Sequence, residues 1–137
     1  MKCLALAAVL LAAQTPSQFS GAWSAAHDGR TFARLELRAS GGSFEGRISL
    51  GAMHMDGKGI VDRVDAPASN FTAIFDVQMR GGVLSFARKD GDDTDRFEVR
   101  RDGEDLELRF LIAPELAAEL ARDGVPRPAP VRLRRSP

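Results

Sequence analysis

The stretch QFSGAWSAAHDGRTFARLEL, residues 18–37, decides the fold because it holds two alternating segments separated by a turn. Small or apolar residues fill every second position of both segments: Phe19, Gly21, Trp23 and Ala25 in the first, Ala33, Leu35 and Leu37 in the second. A period of two predicts strands with one buried face. The intervening residues 27–30 have the composition of a turn. We therefore predict an antiparallel hairpin at the start of the folded domain.

The same alternation recurs as far as residue 112 and is renewed after each glycine-containing turn. The pairs Gly41-Gly42, Gly81-Gly82 and Asp102-Gly103 mark tight reversals, because glycine reaches positive φ without steric cost. Ile74 is an exception to the alternation, and residues 51–69 break it over a longer stretch, where a bulge would restore it. We predict one irregular strand in that stretch.

The C-terminal part of the chain has a different character. Residues 114–123 form helix-favouring sequence with Pro114 at an early position and Gly124 at the expected stop. Leu116 and Leu120 are spaced to pack together on the barrel wall or across its end. A proline-rich linker follows, and the alternation of residues 131–134 predicts a final edge strand.

These segments predict an all-β fold, an antiparallel eight-stranded up-and-down β-barrel with one short C-terminal helix. Closing the sheet on itself removes exposed edges that would otherwise invite aggregation. A two-sheet sandwich satisfies the same alternation and stays open as the alternative. We expect residues 14–137 to form this single domain.

The N-terminus predicts export. Lys2 is followed by an uncharged apolar run from Cys3 to Ala13, which is too short to span a bilayer. Such a run after a basic residue is typical of a secretory signal peptide, here residues 1–13. Arginine far outnumbers lysine, which we associate with GC-rich bacterial genomes. We expect a bacterial protein, periplasmic or secreted, with no membrane span in the mature chain.

Charge and cysteine content exclude several classes of function. The chain has 19 basic and 19 acidic side chains, a balance that argues against nucleic acid or another polyanion as a general partner. The one cysteine, Cys3, lies in the predicted signal peptide. The mature domain therefore has no thiol for a disulfide, a metal site or nucleophilic catalysis.

The residues whose chemistry best suits catalysis or metal binding do not form a complete site. His54 and Asp56 are two apart, so on a strand they would share a face, but catalysis needs a further group within reach. The run KDGDDTDRF, residues 89–97, has oxygen ligands that suit calcium, yet its spacing misses the EF-hand pattern. We expect a solvated hairpin tip there. We expect no catalytic residue, no metal, no cofactor and no enzymatic activity.

The order of elements and one motif resemble a known family. Gly21-Ala22-Trp23 on the first strand, a β-meander, one helix after the eighth strand and a short strand after it resemble the lipocalin-like (calycin) barrels. The resemblance implies that Trp23 closes one end of the barrel and that Arg132 or Arg134 covers it. The chain is shorter than most lipocalins and lacks their disulfide. Its single tryptophan also argues against an avidin-like biotin site.

Two functions follow from this reading. The first is a carrier of one small apolar ligand, bound by the barrel interior: Trp23, Leu35, Leu37, Phe44, Ile48, Phe75, Val77, Phe86, Phe97, Leu108 and Phe110. The second is a periplasmic protein-interaction module, an inhibitor or envelope accessory. Its barrel would be packed and ligand-free, and its loops or arginine-rich tail would contact the protein partner. An apolar pocket of about 300 Å³ or more would favour the carrier.

Overall fold

The computed structural model of the protein describes residues 18–136, so the predicted signal peptide lies outside the described residues. The described part contains ten strands and one helix. In chain order these are β1 (Gly21–His27), β2 (Arg30–Ser40), β3 (Ser43–Leu50), β4 (Ala52–Met55), β5 (Val61–Ala66), β6 (Thr72–Arg80), β7 (Val83–Asp90), β8 (Asp93–Asp102), β9 (Asp105–Leu111), α1 (Pro114–Arg122) and β10 (Val131–Arg135).

Eight of these strands form a closed antiparallel barrel in the order β1-β10-β9-β8-β7-β6-β3-β2, and β4 and β5 form a separate two-stranded sheet. The predicted eight-stranded barrel is thus confirmed, although two details differ. The terminal strand pairs with both β1 and β9 and is not an edge. The stretch predicted as one irregular strand is the β4–β5 hairpin, which stays outside the barrel ladder.

Turn glycines explain why consecutive strands pair. Between β1 and β2, Asp28 and Gly29 have φ values of 50° and 76°, the left-handed pair that a tight hairpin turn requires. Gly41 and Gly42 have φ values of 54° and 83° between β2 and β3. Each turn reverses the chain within two residues, so the inward parity continues from one strand to the next.

The middle of the barrel is packed solid. The side chains with no exposed surface include Leu35, Ile48, Leu84, Val99, Leu106, Leu108 and Leu133. A side chain that lined a void wide enough for water would retain accessible surface, and these retain none. Phe97 stacks on Phe86 with ring centroids 5.5 Å apart and meets Phe110 edge-on at 5.7 Å. The central interior therefore has no room for a ligand at these positions.

Trp23 is buried where β1 pairs with β2 and β10. It is 1% exposed, and its Nε1 donates a hydrogen bond to the carbonyl of Phe19 at 2.9 Å. Two arginines lie over the ring: the Cζ of Arg135 is 4.3 Å from the ring centroid, and that of Arg101 is 5.7 Å away. The expectation of Arg132 or Arg134 is wrong, because the parity of β10 places Arg135 on the same face as Leu133 and thus over Trp23.

Gly21 makes that cover possible. Its φ is +133°, and a Cβ at this position would lie 2.6 Å from Nη1 of Arg135. The same Nη1 donates to the carbonyl of Ser20 at 2.9 Å. A side chain at position 21 would therefore displace the guanidinium, which explains the glycine of the Gly-x-Trp motif in this chain.

Helix α1 agrees with the predicted bounds but not with the predicted packing. None of its residues is buried, and Leu116 is 48% exposed. The expectation that Leu116 and Leu120 pack on the barrel is not met. A closed barrel keeps its apolar face inside, so its outer wall offers a helix little apolar surface. No helix within residues 18–136 is long and apolar enough to cross a membrane.

The seams between strands differ in length. Strands β7 and β8 share eight register pairs, as do β2 and β3. Strands β3 and β6 share only two, Arg47 with Ala73 and Ile48 with Thr72. Strands β1 and β10 also share two, Trp23 with Arg135 and Ser24 with Arg134. These two seams are the shortest in the closed barrel.

Candidate functional site

A cleft of about 980 Å³ opens where β3 and β6 part, and we call it the seam cleft. Four side chains from the inner side of the wall contribute to it: Leu37, Phe44, Ile74 and Val77. Leu37 and Phe44 are buried, while Ile74 and Val77 pack against the core and stay partly exposed. Phe71 and Phe75 add aromatic surface on the β6 side. The cleft is thus a mainly apolar gap in the side of the barrel.

A β-bulge in β6 accompanies the gap. Phe75 pairs with Ala87 and Gln78 with Ser85, so β6 has one residue more than β7 between those pairs. Within the bulge Asp76 has a φ of 54°. A bulge bends its strand and increases the local twist, and β6 pairs with β3 only through Thr72 and Ala73. On either side of the bulge Phe75 and Met79 are 39% and 37% exposed.

The charged groups around the seam cleft cancel one another. Arg38 pairs with Glu45 at 2.6 Å and Arg47 pairs with Glu36 at 3.0 Å. Hydrogen bonds from Arg38 and then Ser40 hold the pKa of Glu45 below its usual range, so this carboxylate stays ionised and keeps its partner neutralised. The Cζ of Arg47 also lies 4.1 Å from the ring centroid of Phe71. The rim therefore offers no net charge to a ligand.

The structure separates the predicted ligand-binding residues into two groups. Leu37, Phe44, Phe75 and Val77 line the seam cleft. Trp23, Leu35, Ile48, Phe86, Phe97 and Leu108 are at most 1% exposed, and Phe110 packs against them. Phe75 pairs with Ala87 and is 39% exposed, so its ring does not lie in the buried interior where the prediction placed it.

Sequence reasoning missed Phe71 and Ile74 as cleft residues. The consecutive apolar residues Ala73, Ile74 and Phe75 break the two-residue period, and such a break is the signal of a bulge. Reading it would have put Ile74, rather than Phe75, on the inner face of β6. A strict alternation assigns every side chain beyond a bulge to the wrong face.

A second cleft, of about 490 Å³, lies at the other short seam, and we call it the roofed cleft. One wall comes from β1 and β10, just beyond the register pair of Ser24 with Arg134. It consists of Ala25 and Ala26, which follow Ser24, and of Val131 and Arg132, which precede Arg134. The roof comes from residues 59–61 at the end of the β4–β5 turn and from Ala129 and Pro130 of the linker.

The roof depends on Gly59. Its φ is +78°, and a Cβ there would lie 1.9 Å from the carbonyl oxygen of Arg127. This closeness lets Ala129 donate a backbone hydrogen bond to the carbonyl of Gly59 at 2.9 Å. Asp56 holds the turn itself, accepting from the backbone N–H groups of Lys58 and Ile60. The bonds from Ile60 and then Lys58 lower the pKa of Asp56.

The titratable side chains that line the roofed cleft are all basic. Its lining includes His27, Arg132 and Arg134, and no carboxylate. Arg132 is bound by Asp102 at 2.6 Å and by Asp105 at 3.2 Å. Arg134 is exposed, and within residues 18–136 its guanidinium has no ion pair or hydrogen bond. Within the described residues, the guanidinium of Arg134 is therefore a cation at the cleft with no ion-pair partner.

The other chemical candidates are occupied by structural contacts. Nδ1 of His54 lies 2.6 Å from Oδ1 of Asp62, across the β4–β5 hairpin. Asp56 does not share a strand face with His54, because Asp56 leaves the strand and holds the turn. Asp90, Asp92 and Asp93 are exposed at the β7–β8 tip, as predicted. Over the described range no group of three or more potential metal ligands assembles.

The comparisons with known proteins add no relative. The chain matches no protein-family model, no curated protein and no solved structure. Its function is therefore argued from the geometry of the two clefts.

Proposed function

We propose that this protein is an exported, non-enzymatic β-barrel that carries one small hydrophobic ligand in the seam cleft, in the periplasm or outside the cell. The observation that carries the proposal is an apolar gap of about 980 Å³ in the barrel wall whose rim charges cancel. Small-molecule sites commonly measure about 300–1,000 Å³ and are lined mainly by apolar side chains. A neutral apolar molecule is the ligand that such a surface favours.

The ligand would bind at the side of the barrel and not at its centre. The central side chains are fully buried, whereas Ile74 and Val77 reach both the core and the cleft. The resemblance to lipocalin-like barrels also supports a carrier, through Gly21-Ala22-Trp23 and the arginine over the tryptophan. The site we propose differs from an enclosed calyx because the ligand enters between β3 and β6.

The expected affinity sets the conditions of the assay. Removing about 300 Å² of apolar surface from water stabilises a complex by at most about 7 kcal/mol, before the entropic cost of association. That free energy alone would give a Kd on the order of 10 μM, and the cost of association weakens binding further. Titrations should therefore begin at about 1 μM and extend upward to the solubility limit of the ligand.

The test uses N-phenyl-1-naphthylamine, a neutral dye that fluoresces in apolar surroundings. Phe75→Ser removes an exposed aromatic side chain from the cleft, and Ala73→Arg introduces a charge there. We expect each to weaken dye binding about fivefold or more. Met79→Ser is the matched control, since Met79 is exposed to a similar degree on β6 but is not among the cleft-lining residues. Equal dye binding by all four proteins would refute the seam cleft as the site.

Export is tested separately. The full chain, expressed in a bacterial host, should appear in the periplasmic or extracellular fraction with a mass that matches cleavage near Gln14. A chain that stays in the cytoplasm with its first residues intact would contradict this part of the proposal. Native mass spectrometry of the exported protein would also report any ligand retained from the host.

The alternative function is a periplasmic protein-interaction module with a ligand-free barrel. The packed central interior is the observation that favours it. The contacts would then come from the arginine-rich tail, where Arg132 and Arg134 are exposed. Replacing both with glutamine should abolish capture of a partner while leaving dye binding intact. Capture that persists in the double variant would count against the tail as the contact surface.

A further inference from the structure

The roofed cleft is separate from the seam cleft in both position and chemistry. The two clefts share no lining residue. Around the seam cleft two arginines are paired with two glutamates. At the roofed cleft Arg132 is paired with Asp102 and Asp105, and His27 with Asp28, whereas Arg134 has no ion pair within residues 18–136. A site in the roofed cleft is therefore independent of whether the seam cleft binds a ligand.

From this difference we infer that the roofed cleft is a second binding site, for a small organic anion with an apolar body. Arg134 supplies the charge. Its guanidinium is exposed and, within the described residues, has no competing carboxylate. A guanidinium fork matches the paired oxygens of a carboxylate, a phosphate monoester or a sulfonate. Ser24, which pairs in register with Arg134, adds a hydroxyl to the same lining.

The apolar part of the lining distinguishes an organic anion from an inorganic ion. Phe32 is buried at the base of the cleft, and Val61 and Val131 pack against the core. Ile60 in the roof is 52% exposed, although it is a large apolar side chain. A ligand with an apolar body would cover Ile60 while its anionic group meets Arg134. An inorganic ion would leave this apolar surface in water.

The cleft is also held in shape before any ligand binds. Gly59 and Ala129 join the turn to the linker by a backbone hydrogen bond of 2.9 Å. Asp56 fixes the turn from the other side through the N–H groups of Lys58 and Ile60. Prolines in the linker restrict its backbone further. A preformed roof loses little conformational entropy on binding, which favours affinity for a small ligand.

The first experiment compares two dyes on the full chain. 8-Anilinonaphthalene-1-sulfonate carries a sulfonate, and N-phenyl-1-naphthylamine is the same ring system without it. We expect Arg134→Gln to weaken binding of the sulfonate dye at this site about tenfold, because a charge-assisted hydrogen bond is lost. Binding of the neutral dye should not change. The sulfonate dye should also lose affinity as salt is raised, since salt screens an exposed charge.

Two further variants separate the local site from the general charge of the surface. Arg34→Gln makes the same change of charge at an exposed arginine that pairs with Ser24 from the other side but is not among the lining residues of the cleft. It should leave the sulfonate dye bound as in the unmodified protein. Ala26→Phe fills the cleft at an exposed lining position and should weaken the sulfonate dye as much as Arg134→Gln.

Competition identifies the class of anion. 1-Naphthoate, 1-naphthyl phosphate and 1-naphthalenesulfonate should displace the sulfonate dye, in an order that shows which oxyanion Arg134 prefers, while 1-naphthol should not. The inference is overturned if Arg134→Gln binds the sulfonate dye like the unmodified protein, or if Arg34→Gln weakens it equally. If the unmodified protein binds the sulfonate dye but not the neutral dye, the seam-cleft proposal is refuted and this one is left intact.

Discussion

The β3–β6 and β1–β10 seams are equally short, with two register pairs each, yet what lies over them differs. At the β3–β6 seam the strands part beside a bulge, and the gap is edged by ion pairs that cancel. At the β1–β10 seam the gap is roofed by the β4–β5 turn and the proline-rich linker, and its charge is positive.

This comparison shows how one barrel can offer two chemically distinct surfaces without a cavity at its centre. Where a seam carries eight pairs, as between β7 and β8, the side chains Leu84 and Phe86 are almost fully buried. Beside the β3–β6 seam, where pairing stops after two, Ile74 and Val77 remain partly exposed. Both short seams lie beside clefts, although paired residues there such as Ile48 and Trp23 are buried.

The largest expected effect is the difference in stability between a variant at the long β7–β8 seam and a variant at the short β3–β6 seam. Phe86→Ala should lower the free energy of unfolding by about 3–5 kcal/mol, because a fully buried ring leaves a cavity. Phe75→Ala, at the open seam, should lower it by less than about 1 kcal/mol, since Phe75 is already partly in water. Urea unfolding measures both. If Phe75→Ala lowered the free energy of unfolding as much as Phe86→Ala, Phe75 would be buried and the cleft beside the β3–β6 seam would be closed in solution.

The next effect concerns the roof. Gly59→Ala should destabilise the protein by about 2–4 kcal/mol, because its positive φ and the carbonyl of Arg127 both oppose a Cβ. Gly57→Ala is the control in the same turn, where a Cβ meets nothing within 4 Å, and should be close to neutral. Thermal unfolding gives the stabilities. If both variants matched the unmodified protein, the contact between turn and linker would not exist.

A smaller effect tests what holds the paired part of the β1–β10 seam. Arg135→Gln should lower the free energy of unfolding by about 1–2 kcal/mol, through loss of the cation–π contact with Trp23 and the bond to Ser20. Arg134→Gln, one residue earlier, should change it by less than about 0.5 kcal/mol. Trp23 fluorescence reports unfolding in both. A larger loss from Arg134→Gln would reverse the roles that we assign.

The smallest effect is a pH dependence confined to the roof. The folded-state pKa of Asp56 is lowered, so its contribution is complete above the ordinary aspartate pKa of about 3.9 and is lost as pH falls through the folded value. Hydrogen-exchange protection of Lys58 and Ile60 should therefore decline in acid. Asp56→Asn should remove that dependence, whereas Asp62→Asn should keep it. Identical acid profiles in all three proteins would contradict the assigned role of Asp56.

Much of this architecture could be predicted from the sequence, for local reasons. Hairpins at Gly41-Gly42 and Gly81-Gly82 follow from glycine conformation, and burial of Trp23 follows from the parity of β1. The helix bounds follow from Pro114 and Gly124. These features depend on residues close in the chain, whose effects a single sequence displays directly.

The two clefts depend on longer-range events and were predicted less well. Alternation could not show that residues 51–69 fold back as a hairpin outside the ladder, although Asp56-Gly57-Lys58-Gly59 has turn composition. Nor could it show that β10 enters the ladder between β1 and β9. Both outcomes depend on which strands remain available for pairing after the others have paired.

The pairing of β1 with β10 joins the two ends of the described chain, with Ser136 Oγ and Ser24 Oγ 2.9 Å apart. Closure therefore requires β10, the last strand of the described residues. Until β10 pairs, β1 and β9 each lack a neighbour, and long-range pairing of this kind is slow. For the export that we propose, a barrel that closes slowly would leave the polypeptide open while it is threaded across a membrane.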